Sequence, residues 1–60
     1  MLENIARWLE ELGLGEYAEA FAANNVDSRT LPELTGDDLK DIGVASVGHR
    51  RLLLGAIAEL

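Results

Sequence analysis

A chain of 60 residues holds one small domain, expected to span residues 1–60, and its eleven Asp and Glu against five Lys and Arg leave a formal charge of −6. The absence of cysteine and the single histidine exclude a disulfide framework, a thiolate nucleophile, a Cys-based zinc site and a multi-His metal site within one chain. Apolar residues at 48% and charged residues at 27% are the balance of a folded globular domain rather than a disordered one.

Apolar residues recur at helical spacing almost throughout, and no stretch alternates with period two, so the predicted class is all-α. Ile5, Trp8, Leu9 and Leu12 form one stripe of a first helix, with Asn4 as N-cap and Gly13 as its stop. A second segment is predicted from about Glu16 to Asn24. There Tyr17 and Phe21 sit one turn apart among alanines, and Asn24 and Asn25 tolerate the left-handed backbone that ends a helix. A short third turn is expected over Ser28 to Leu31, closed by Pro32. Thr35 and Asp38 resemble a capping box at the start of a fourth segment, which Gly43 stops. Ser46 caps a longer fifth segment that runs to the end of the chain. The expected core is Ile5, Trp8, Leu9, Leu12, Leu14, Tyr17 and Phe21 from the first half, with Leu31, Leu34, Leu39, Ile42, Val44, Leu53 and Ile57 from the second. Leu52 falls on the other flank of the last helix and is expected to cover the first.

Size also bounds function. A domain of this length has a stability of roughly 3–9 kcal/mol and little room for a ligand pocket of ~300 Å³ or more. Neither a small-molecule substrate nor a cofactor or metal is expected. No apolar run approaches the ~18–20 residues of a membrane span. The opening MLENIARW lacks the pattern of a signal peptide, and a cytoplasmic setting is expected.

The charge is unevenly divided. Residues 1–41 carry ten acids and three bases, whereas residues 42–60 carry Arg50, Arg51 and only Glu59 in opposition. Asp37 and Asp38 lie in the first turn of the fourth segment, where the helix dipole favours them by ~0.3–1 kcal/mol each. The fifth segment does the reverse. Arg50 and Arg51 follow a helix N-terminus that is already positive, and Gly48 inside the helix costs about 0.8–1.0 kcal/mol relative to Ala. Local rules broken twice within four residues mark a candidate site. With Leu53 inward and about 100° per residue, Val47, Leu54 and Arg51 lie at about 120°, 100° and 160°, one apolar flank with a basic edge. His49 falls on the inward side, where a structural role is expected.

That surface wants an anion. Gly43 to Arg50 has the glycine spacing of a phosphate loop but neither its Lys-Ser/Thr ending nor a preceding strand. A helix-hairpin-helix contact to DNA phosphates is a possible geometry, but the charge of −6 opposes it. Ser46 and His49 could suggest catalysis, yet an N-cap role accounts for the serine, so no enzyme is expected. A carboxylate cluster on another protein is the remaining anion, and the chain carries such a cluster in its own middle.

Ile5-Ala6-Arg7-Trp8-Leu9, Leu12-Gly13-Leu14, Tyr17, Phe21, Leu31, Leu34-Thr35, Asp38-Leu39, Ile42-Gly43-Val44 and Gly48-His49-Arg50 before Leu53 and Ile57 together resemble the sterile alpha motif (SAM) domain over nearly the whole chain. The resemblance is strongest to SAM domains at the N-terminus of bacterial class III nucleotide cyclases and related signalling proteins. It implies a five-helix bundle with a long C-terminal helix that binds other SAM domains. One copy's mid-loop surface would meet the next copy's end-helix surface. By position the mid-loop surface comprises Asn25, Val26, Asp27, Glu33, Asp37, Asp38 and Asp41. The end-helix surface comprises Val47, Gly48, Arg50, Arg51 and Leu54. Many members carry Lys or Arg where this chain has Leu52, which thins the basic edge. The expected function is therefore head-to-tail self-association into an open helical polymer that clusters attached signalling domains. The alternatives are an adaptor, monomeric alone, that binds a different SAM domain, or a helix-hairpin-helix nucleic-acid binder.

Overall fold

A computed structural model describes residues 4–60, so residues 1–3 of the predicted domain lie outside the described residues. Helix α1 spans Ile5–Glu11 and starts where Asn4 Oδ1 accepts the Arg7 N–H at 3.0 Å. A 3₁₀ turn over Gly15–Tyr17 leads into α2, Ala18–Ala23. A second 3₁₀ turn, Leu31–Glu33, precedes α3, Gly36–Ile42, and α4 runs Val47–Ala58. The capping box predicted for α3 is present in both directions: Thr35 Oγ1 accepts the Asp38 N–H at 3.2 Å, and Asp38 Oδ2 accepts the Thr35 N–H at 3.0 Å. Ser46 Oγ caps α4 by accepting the His49 N–H at 3.2 Å.

The first three helices stop in the same way. Gly13, Asn25 and Gly43 adopt φ of 78°, 59° and 118°. In each case the next residue returns its N–H to a carbonyl five positions back: Leu14 to Leu9, Val26 to Phe21 and Val44 to Leu39, at 2.8–3.0 Å. The left-handed residue itself bonds three positions back, to Glu10, Ala22 and Lys40 respectively. This is the Schellman arrangement, which consumes carbonyls that a helix end otherwise leaves unpaired. Its apolar partners make the core. Leu9, Leu14, Phe21, Leu39 and Val44 are buried with Leu31, Leu53 and Ile57, and Val26 packs against them.

The all-α class holds, with four α-helices and two 3₁₀ turns among the described residues in place of five helical segments. The second segment divides at Ala18 because Leu14, pulled into the core, offers no capping side chain, and a 3₁₀ turn satisfies the Tyr17 N–H on Leu14 at 3.1 Å. The third turn lies later than expected and contains Pro32 rather than ending before it. Proline's missing N–H costs nothing at the start of a helical turn. Leu12 is 36% exposed because the chain reverses at Gly13 and Leu14 takes its place inside. Leu52, 58% exposed, does not cover the first helix. The rest of the expected core is buried or packed against it.

Helix α4 packs on α3 and on the Leu31–Glu33 turn, while α1 packs on α2 and the Gly15–Tyr17 turn. The α3–α4 junction therefore depends on the Gly43 reversal. A φ of 118° lies well beyond the left-handed well of L-residues, whereas Gly13 at 78° is closer to the 59° that Asn25 adopts. Gly43→Ala should lower the free energy of unfolding by ~1–3 kcal/mol. Gly13→Ala should cost less, and paired urea denaturation curves would show the order.

Candidate interaction surfaces

Two open grooves flank α3. The first, of about 400 Å³, lies between α3 and α4. Gly36, Asp37 and Lys40 line it from α3, and Val47, Arg50, Arg51 and Leu54 from α4. The second, of about 300 Å³, has a floor of Val26, Leu34 and Ile42. Its rim is Asn24, Thr30, Glu33, Asp38 and Asp41, three carboxylates with no base. At about 100° per residue, Gly36, Lys40 and Asp37 fall on one face of α3, and Asp41, Asp38 and Ile42 on the adjoining one. These volumes exceed what the chain length led us to expect, but both are surface grooves between elements rather than enclosed pockets.

Val47, Arg50, Arg51 and Leu54 of the predicted end-helix surface thus come together. Gly48 lies off the groove, and a Cβ built there would meet only Ser46 Oγ, at 3.8 Å. The chain's own packing does not demand a glycine at that point. Val47 is 63% exposed at the very start of α4, an apolar side chain left to solvent. Arg50 is partly committed: Nη1 donates to the carbonyls of Val44 and Ala45 at 2.8 and 3.0 Å. Those carbonyls offset the unfavourable placement of its charge near a helix N-terminus. Arg51 is exposed and in no ion pair among the described residues. Lys40 belongs to this groove and was not singled out from the sequence. Its position three residues after Asp37 on one helix face was the available signal.

The mid-loop set divides. Val26, Glu33, Asp38 and Asp41 line the acidic groove, while Asn25 and Asp27 do not. Asn25 supplies the left-handed backbone that ends α2. Asp27 is occupied by its own loop. Its Oδ1 accepts the Arg29 and Thr30 N–H groups, each at 3.0 Å, and Oδ2 pairs with the Arg29 guanidinium at 3.1 Å. The Arg29 side chain first, and then these backbone N–H groups, hold the Asp27 carboxyl below its ordinary 3.8. Asp38 gives one oxygen to the capping box. Asp37 departs furthest from expectation, since it faces the cationic groove instead of the acidic one.

His49 takes the structural role expected of it. Its Nδ1 shares a hydrogen bond with the Tyr17 hydroxyl, and the two rings meet edge to face at 5.6 Å. Burial, then the Glu16 carboxylate, raises the Tyr17 phenol above its ordinary 10.0. This bond ties the start of α4 to the turn before α2. Among the described residues no group of three or more His, Asp or Glu could hold a metal ion, and no helix is long and apolar enough to cross a membrane.

The sequence model of the SAM domain (sterile alpha motif) matches residues 2–60. The chain belongs to the SAM domain family. SAM domains are non-catalytic modules that mediate interactions with other SAM domains or other proteins. Human SH3 and multiple ankyrin repeat domains protein 2 is 47% identical over 57 residues, 95% of this chain and 3% of the relative. Diacylglycerol kinase eta is 45% identical over 58 residues in mouse, 97% of this chain and 5% of the relative. The Drosophila melanogaster protein of the same name is 39% identical over 59 residues, 98% of this chain and 3% of the relative. The SAM module thus spans only a few per cent of these proteins' length, and kinase activity in the second pair lies outside the matched segment. These animal relatives overturn the narrower likeness to bacterial class III nucleotide cyclases.

The Asp27 carboxylate fastens its own turn through Arg29 and Thr30, and its charge state is testable. A carboxyl lowered by folding contributes stability that is fully present above the ordinary 3.8 and is lost as pH falls through the lowered value. Asp27→Asn keeps an acceptor oxygen without the charge. Its urea midpoint should lie below that of the unaltered domain well above pH 3.8, and the gap should close on acidification.

Proposed function

We propose that this SAM domain associates with itself head to tail, the acidic groove of one copy seated on the cationic α3–α4 groove of the next. The observation that supports it most is the segregation of charge: Glu33, Asp38 and Asp41 rim one groove, and Lys40, Arg50 and Arg51, opposed only by Asp37, line the other. Each groove also carries exposed or half-buried apolar residues, Val26, Leu34 and Ile42 against Val47 and Leu54, the make-up of an interface core within a polar rim. Two different patches of one chain make a heterologous contact, which extends into an open filament unless its rotation closes a ring. Grooves on a domain measuring 26 × 23 × 21 Å give a contact near or below ~1,200–1,600 Å² and a modest affinity per link. Repetition along a polymer would then supply the avidity that clusters whatever signalling domains the module is joined to, in a cytoplasmic setting. The charge of −6 weighs against a nucleic-acid partner, since phosphate binding scales with the cations available to neutralise it.

Charge reversal tests the scheme. Asp38 is a poor target because it caps α3, so the acidic groove is better reversed through Glu33→Lys with Asp41→Lys, and the cationic groove through Arg51→Glu. Each variant alone should be monomeric by multi-angle light scattering at concentrations where the unaltered domain forms large species. An equimolar mixture should give a dimer and nothing larger. Large species from either variant alone would refute the head-to-tail contact, and an unaltered domain that is monomeric at low salt would leave the heterotypic adaptor in its place.

A further inference from the structure

We infer that Asp37 is a built-in attenuator of this contact, an acid that occupies the cationic groove and competes there with the incoming carboxylates; the inference rests on the head-to-tail reading. Asp37 lines the same groove as Lys40, Arg50 and Arg51. It is exposed and makes none of the ion pairs seen among the described residues, Arg7–Glu11 and Arg29–Asp27. It therefore lowers the groove's potential without being locked onto one cation. Arg50, drawn back to the Val44 and Ala45 carbonyls, cannot easily reach out to compensate. The facing surface has no counterpart: Glu33, Asp38 and Asp41 share their groove with no base. Three carboxylates thus meet three cations already opposed by one acid. A like charge juxtaposed across an interface suppresses association, and salt screens that repulsion. In its own helix Asp37 is favourable, because it lies in the first turn of α3. The same residue then stabilises the fold and weakens the assembly, which would keep the single links reversible.

Calorimetric titration of two one-sided copies separates the possibilities. One copy carries Glu33→Lys and Asp41→Lys and offers only the cationic groove; the other carries Arg51→Glu and offers only the acidic groove. Asp37→Asn in the first copy should tighten the complex about two- to fivefold, and high salt should erase the gain. The same substitution in the second copy should leave affinity unchanged. A lower urea midpoint for Asp37→Asn, opposite in sign to its tighter binding, would show that the gain does not come from a firmer fold. Unchanged or weaker binding from Asp37→Asn in the first copy overturns the inference while leaving the contact standing. Weaker binding from Asp37→Asn in the second copy also overturns it, since Asp37 would then belong to the acidic surface. No complex between the two parent copies removes the head-to-tail reading and this inference with it.

Discussion

Leu9, Phe21 and Leu39 each lie four residues before a left-handed residue and five before the apolar residue that bonds back to them. That repeated helix ending carries the architecture. A short helix exposes a large share of its carbonyls at its end, and a 60-residue chain cannot leave them unpaired inside. The left-handed reversal satisfies them and at the same moment turns the next side chain back under the helix. Helices of six or seven residues would be marginal alone. Here each is held by burying the residues on either side of its own stop.

The same constraint places the charges. Because Gly43 folds α4 back onto α3, one face of α3 joins the start of α4, and the adjoining face joins the mid-loop region. A single seven-residue helix is thus the wall between a groove with three cations and a groove with three carboxylates. Asp37 and Asp41, one turn apart, line different grooves on adjoining faces of that helix. Electrostatics between such exposed groups is weak pair by pair. In the proposed contact its effect would lie in segregation, since a surface that repels itself and attracts a different patch favours head-to-tail over face-to-face contact.

Much of this was legible in the amino-acid sequence because it is local. Asn4, Thr35 with Asp38, and Ser46 read as caps, and each accepts the backbone hydrogen bond expected. Gly13 and Gly43 read as stops and take positive φ. Residues whose role depends on distant partners were less accessible. Leu12 and Leu14 are equally apolar, and only the reversal at Gly13 decides which one enters the core. Asp37 and Asp38 look equivalent in a first turn, yet one hundred degrees of helix rotation sends them to different grooves, about the angle between successive residues of any α-helix. Asp27 reads as part of an acidic surface, but the Arg29 and Thr30 that follow it fold back and occupy its carboxylate. Leu52 reads as a flank residue of α4, and only the packing of the other elements decides that this flank stays exposed.

Amide chemical-shift mapping of the two one-sided copies tests the central claim most directly, because it reads which residues of each partner meet. With the copy offering the cationic groove labelled, the proposed contact requires shifts centred on Lys40, Val47, Arg50, Arg51 and Leu54. With the labels exchanged, the shifts should move to Val26, Glu33, Asp38, Asp41 and Ile42. Perturbation of the same residues in both partners, or shifts centred on α1, would contradict it.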